Sequence, residues 1–341
     1  MRPCDLWFAA LVALAGCSQS APVAPTGPSP SGQPTVPAAP TPSAPLVFTQ
    51  SPIDLSAVEF VVPIGNLNPP GHTLPTDHAY FYHRLRNPNA PVQPVVAPAG
   101  GTVRYVTRGN DDAIGVQATS STIYYLGHVL VDAGLSSGSI VTAGQHLGVT
   151  SQLSFGLDLG VINDGITVFF VNSLRYGSNT LHADSPLPYF AEPLRSAIYA
   201  KIESRVPANN GRIDFDRAGR LSGNWFLEGL DAAESGNVAA GPRQLAFVRD
   251  VLDPSAVRIS VGGTLALTGV FAIDAAAPDP ADVSAASGAV GYRLSFGQSG
   301  GPSVGLLMVQ LMDDTTLRAE IFAGSQESRA EFTPAARTYF R

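Results

Sequence analysis

Two stretches, PVVAPAGGTV at 94–103 and GSIVTAGQHLG at 138–148, decide the fold. Each is a short apolar run, a tight turn and a second short apolar run. The glycines sit where the backbone must reverse and a side chain would clash. Two such units within one segment predict a compact, barrel-like β module. Working outward, further strands are predicted at 58–63, 78–83, 103–107, 114–119, 122–131, 157–162 and 166–171, with Gly-, Asn- and Asp-rich turns between several of them.

Beyond this module, Leu194, Ile198, Ile202 and Val206 recur every four residues, and Pro193 and Pro207 bracket them. That pattern predicts a helix over 193–205 within a linker of 185–209. From 210 to 341 the chain again reads as strands, at 212–220, 244–251, 257–259, 264–273, 289–296, 305–312 and 316–322. Asp313-Asp314 marks a hairpin turn. The expectation is an antiparallel β-barrel or sandwich. Gly223-Asn224-Trp225 near its start faintly resembles the Gly-x-Trp of lipocalins, and a single core tryptophan is the better reading.

The chemistry-bearing residues lie between 71 and 163, on GHTLPTDH (71–78), YYLGHV (124–129) and GLDLGV (156–161). His72, Asp77 or His78, His128 and Asp158 come from separate elements. A His and a carboxylate a few residues apart, with a third ligand from a distant strand, are able to hold a zinc ion and leave one position for water. Asp158 lies between Leu157 and Leu159, so on a strand it faces away from its apolar neighbours. His83, His146 and His182 have no evident partners and are expected at the surface.

The order and spacing of these segments resemble the LytM/lysostaphin-type peptidoglycan metallopeptidases. The resemblance covers about 110 residues and implies a duplicated-hybrid-motif-like β domain over 46–184. It also implies zinc held by His72, Asp77 or His78, and Asp158, with His128 assisting catalysis. The sequence departs from the family pattern at two places. Four residues rather than three separate His72 from Asp77, and the family's final His-x-His reads Gly156-Leu157-Asp158. The missing imidazole would polarise water or stabilise the oxyanion. A degenerate domain is therefore expected, one that binds peptidoglycan or recruits an envelope protein without efficient hydrolysis. The alternative is an active zinc metalloendopeptidase that cleaves peptidoglycan cross-bridges.

The start of the chain assigns a location. A basic residue, a short apolar run over 6–15 and Leu14-Ala15-Gly16-Cys17 describe a secretory signal ending in a sequence that resembles the bacterial lipobox. The run is too short to span a bilayer, which takes about 20 residues. Cleavage after 16 and lipidation of Cys17 would anchor the protein to a membrane by acyl chains alone. Residues 17–45 are rich in Pro, Ala, Ser and Thr and read as an extended tether. Ser18, in place of Asp, resembles lipoproteins destined for the outer membrane of diderm bacteria, so the chain is expected to be exported and membrane-anchored.

Other classes are excluded by composition and context. The chain carries a formal charge of −7 and only 14% charged residues, which argues against a nucleic-acid partner. Cys4 and Cys17 are its two cysteines, so the body has neither a disulfide nor a thiolate metal site. The Gly297-Gln298-Ser299-Gly300-Gly301 string lacks the following helix of a nucleophile elbow and reads as a turn. A biotinyl- or lipoyl-type barrel needs a modifiable lysine on a hairpin, and Lys201 falls in the predicted helix.

Overall fold

The computed structural model describes residues 45–236, 238–324 and 331–341. The predicted signal, Cys17 and nearly all of the tether lie outside the described residues. The fold is mainly β, in two antiparallel systems. The first comprises β1 (Phe60–Val62), β2 (His78–Tyr82), β3 (Pro94–Val96), β4 (Gly101–Thr107), β5 (Asp112–Gln117), β6 (Thr122–Val131), β7 (Ile140–Val141), β8 (His146–Thr150), β9 (Gly156–Asn163) and β10 (Ala183–Asp184). They form one sheet in the order β1-β2-β9-β6-β5-β4-β7, with β10 added to β9 and β8 joining β6 to β3.

Alternation along the central strands sorts the two faces. On one, Phe81, Tyr124, Leu126, Leu157, Leu159 and Val161 are completely buried against Phe48, Leu187 and Phe190. Burial of this much aromatic and branched surface stabilises the sheet at roughly 25 cal/mol per Å² of apolar area. The opposite face carries His78, Tyr80 and Tyr82 of β2, Gly156, Asp158 and Gly160 of β9, and Tyr125 and Gly127 of β6. The register places Tyr80 opposite Asp158, Asp158 opposite Gly127, and Tyr125 opposite Gly160. A Cβ on residue 160 would sit 2.1 Å from the Tyr125 ring, so glycine there lets the ring lie flat across β9.

The second system is a closed barrel of β11 (Gly223–Leu227), β12 (Gln244–Arg249), β13 (Val257–Val261), β14 (Gly269–Ile273), β15 (Val290–Ser295), β16 (Ser303–Leu311), β17 (Thr316–Ala323) and β18 (Arg337–Phe340), with β18 returning to β11. Eight strands leave an interior just wide enough for side chains. Here Trp225, Phe247, Phe271, Tyr292 and Tyr339 fill it. The Arg341 guanidinium lies 3.7 Å from the centre of the Trp225 ring and donates to the carbonyls of Arg217, Arg220, Leu221 and Ser222, closing one end. The interior is thus a packed core.

Several sequence expectations change. Residues 166–171 form no strand; the Val168 N–H instead donates to the carbonyl of Leu181, the last residue of a short helix. Residues 212–217 join no ladder and 218–220 form a turn, although Ile213 and Phe215 are buried as their alternation predicts. The strand expected over 264–273 starts only at Gly269. The two helices near the linker are short, α1 (Ser178–Leu181) and α2 (Leu194–Tyr199). Helix α2 ends early because Lys201 turns its carbonyl to the Val61 N–H of edge strand β1. Its apolar spacing instead packs Ile198, Leu194 and Ile202 onto the first core. No helix among the described residues is long and apolar enough to cross a membrane.

Candidate functional site

The site grows from the face of β2, β6 and β9 that carries polar side chains. His78 is the first residue of β2, and its ring is fixed at both nitrogens. Nδ1 lies 3.0 Å from Asp77 Oδ1, and Nε2 lies 3.0 Å from the Tyr80 hydroxyl and 3.3 Å from Asp158 Oδ2. The same Asp158 oxygen lies 3.3 Å from His128 Nε2. His128 Nδ1 in turn meets Asp111 Oδ2 at 2.5 Å. Acids and bases therefore alternate in one continuous chain: Asp77, His78, Asp158, His128, Asp111.

The backbone aims His128 into this chain. At His128, strand β6 changes partner, from β9 through Gly127 to β8 from Val129 onward, and the β5–β6 register shifts at the same point. The residue at this bulge has φ of 61°, a left-handed conformation that β-carbon-bearing residues adopt at a cost of about 1–2 kcal/mol. Such strain concentrates where function requires a particular direction of a side chain. Asp77 is held from behind: Tyr125 donates to its Oδ1 at 3.0 Å and Thr180 to its Oδ2 at 2.7 Å.

The electrostatics follow from these contacts. Burial works against the charge of Asp77, but His78, Thr180 and Tyr125 outweigh it and hold the carboxyl below its usual range. Burial likewise opposes protonation of His78, yet Asp158 and Asp77 raise its pKa. The charge of Asp158 is the largest influence on His128 and, with Asp111, raises it to about 9 against burial. His72 behaves oppositely. Loss of water around it, then the neighbouring His78, lowers it to about 4. Burial keeps the Tyr80 and Tyr125 phenols protonated far above neutral pH.

The predicted residues are thus brought to one place, but as a network of ion pairs. His72 packs its ring edge-on to His78, with centroids 5.5 Å apart. Asp77 lies behind His78, on the Nδ1 side away from Asp158, with both oxygens committed. Asp158 Oδ2 sits between two imidazoles. Among the described residues, no group of three or more His, Cys, Asp or Glu side chains is gathered to hold a metal ion. The set His72, Asp77, His78 and Asp158 therefore does not fit zinc in this arrangement. His128 faces Asp158 through Nε2. Position 156 brings no imidazole, and a Cβ added there would already lie 3.2 Å from the Tyr82 ring.

Sequence reading missed Asp111, Tyr80 and Thr180. The i, i+2 alternation of His78 and Tyr80 carried the signal for the tyrosine; Asp111 looked like a turn residue, and Thr180 lies 103 positions from its partner. The surface expectation for the other histidines is corrected for His83, which is 3% exposed and bonded through Nε2 to Thr150. His146 is exposed and pairs with Asp132, and His182 meets the Ile166 carbonyl.

No family model matches the chain, and no curated protein does. Among solved structures it is similar to Csd3 of Helicobacter pylori, at 14% identity and a TM-score of 0.31, over 43% of this chain and 35% of that one. It is similar to a zinc containing peptidase from Vibrio cholerae, at 17% identity and a TM-score of 0.28, over 35% of this chain and 37% of that one. It is also similar to a variant of the catalytic domain of the prophage-encoded M23 protein EnpA from Enterococcus faecalis, at 16% identity and a TM-score of 0.25, over 43% of this chain and 93% of that one. The chain spans little more than a third of the length of the first two.

Proposed function

We propose that this chain is a cell-envelope lipoprotein whose N-terminal β domain is a degenerate LytM-like domain. In this reading it binds peptidoglycan, or an envelope protein, without efficient hydrolysis. The observation that carries it is the alternating chain of Asp77, His78, Asp158, His128 and Asp111 beside a glycine at 156. The charged groups that a peptidase-like centre would need are present, but His78 and His128 are already committed to carboxylates. Asp158 Oδ1 is buried with no hydrogen-bond partner. It offers an acceptor to an amide N–H or an ammonium, groups that peptide stems supply, and a buried acceptor left unpaired costs about 1–3 kcal/mol.

Weak chemistry follows from the same residues. Loss of one oxyanion-stabilising donor typically lowers the rate by about 10²–10³, and Gly156 supplies none. The test is digestion of purified peptidoglycan by the soluble body, with and without added zinc, beside Asp158→His and His128→Ala. Little or no release of peptide by the wild type is expected. Robust turnover that His128→Ala abolishes overturns the reading and makes the protein an active metalloendopeptidase. Anchoring through Cys17 is proposed on the lipobox-like sequence alone. Cys17→Ala is expected to free the protein from the membrane fraction or block its maturation; unchanged retention contradicts the anchor.

A further inference from the structure

His78, Tyr80 and Asp158 are 9%, 7% and 8% exposed, so the His78 side of the centre is covered, whereas the His128 and Asp111 side chains remain 31% and 28% exposed. Two loops make that cover. The first, 63–77 between β1 and β2, carries His72. It is a small hairpin held by reciprocal bonds between Asn68 and His72 and by the Gly65 N–H to the Thr76 carbonyl. The second, 164–182 between β9 and β10, carries Thr180 to Asp77.

Both loops rest on the same outer side of the barrel. The Thr73 hydroxyl donates to the Gly241 carbonyl at 2.7 Å, in a buried contact. The Pro70 carbonyl comes so near Gly241 that a Cβ there would lie 1.9 Å from its oxygen. Leu67 and Leu74 pack among Phe215, Ala246 and Val248. On the second loop, Val171 N–H donates to Asp216, and Asn224 Nδ2 donates to the Tyr176 hydroxyl at 3.0 Å. The Arg175 guanidinium stacks over Phe226 at 4.8 Å. Asn224, Phe226, Ala246 and Val248 are the positions that point outward while Trp225, Leu245 and Phe247 fill the barrel.

We infer that the C-terminal barrel is the latch of the site: it holds the 63–77 hairpin closed over His78 and Tyr80, and a ligand reaches His78 only when that hairpin lifts from Gly241. The latch takes as functional the site proposed above, but the lid's attachment is measurable with no ligand present. Segments with few buried contacts open locally at a cost set by those contacts. One neutral hydrogen bond contributes about 1 kcal/mol, equivalent to roughly a fivefold change in an opening equilibrium.

The experiment uses the full soluble body. Hydrogen exchange of the 63–77 peptide and carbethoxylation of His78 are compared in wild type, Thr73→Val and Gly241→Ala, with Trp225 emission reporting an intact barrel. About fivefold faster exchange and modification is expected in Thr73→Val, and a larger increase in Gly241→Ala, with Trp225 emission native. Where Gly241→Ala disturbs the barrel, Thr73→Val alone decides. Unchanged lid exchange and unchanged His78 modification in Thr73→Val overturn the latch. A lid that opens without any gain in peptidoglycan binding supports the latch and counts separately against peptidoglycan as the ligand.

Discussion

At the scale of single residues, the site is governed by His128 and its two carboxylates. Its pKa is raised from 6.5 to about 9, chiefly by Asp158, so the folded protein holds this proton more tightly than the unfolded chain does. The resulting stabilisation is complete below pH 6.5 and fades as the pH climbs through 9. In metal-free protein, unfolding free energy is therefore expected to fall more between pH 6 and pH 9.5 in wild type than in His128→Gln, by about 1–2 kcal/mol after solvent screening. Equal falls in chemical-denaturation series contradict the pairing. The same geometry predicts indifference to chelators. A ligand present at a hundred times its dissociation constant adds about 2.7 kcal/mol of stability, which EDTA would remove. The melting temperature is expected not to move; a drop of several degrees, restored by zinc, would mean that His78, His128 and Asp158 rearrange around a metal.

At the scale of elements, the site depends on glycines that let tyrosine rings lie across neighbouring strands. Gly160→Ala places a methyl against the Tyr125 ring and is expected to cost about 1–3 kcal/mol. Most of that cost should vanish in a Tyr125→Ala background, as a thermal-melt double-mutant cycle reads directly; an additive cycle contradicts the clash. Strands β2, β6 and β9 were legible in the sequence because their alternation and their bounding turns agree. The segment 166–171 was not, since it joins no ladder: Phe170 is buried with Ile64, Ala183 and Ile213 while Phe169 stays exposed. The helix expected over 193–205 shrank as well. Leu194, Ile198 and Ile202 of its apolar spacing pack on the first core and Val206 is exposed, while the Lys201 carbonyl is taken by β1. The site was legible where one strand carries the pattern, at His78, His128 and Asp158. Thr180 was hidden because its partner lies 103 positions away, and Asp111 because it sits among turn residues that no periodicity marks.

At the scale of the whole molecule, a packed barrel supports a partly covered site. The barrel's closure rests on Arg341 over Trp225 and on the carbonyls it collects. Arg341→Ala leaves several of those carbonyls unpaired and is expected to lower stability by about 2–4 kcal/mol, read by the Trp225 emission transition. A loss below about 0.5 kcal/mol would assign closure to the strand ladder alone. If the barrel latches the lid, the same variant also speeds exchange of the 63–77 hairpin before the β2–β9 sheet opens. The central claim is that the N-terminal β domain binds peptidoglycan through the Asp158 centre and hydrolyses it poorly. Its most direct test is sedimentation of the soluble body with purified, insoluble peptidoglycan, comparing wild type with Asp158→Ala and Tyr80→Ala, while the supernatant is assayed for released peptide. The account predicts that the wild type sediments with the polymer, that both variants remain largely in solution, and that no peptide is released. Wild type that stays in solution, or sediments no better than Asp158→Ala, contradicts it.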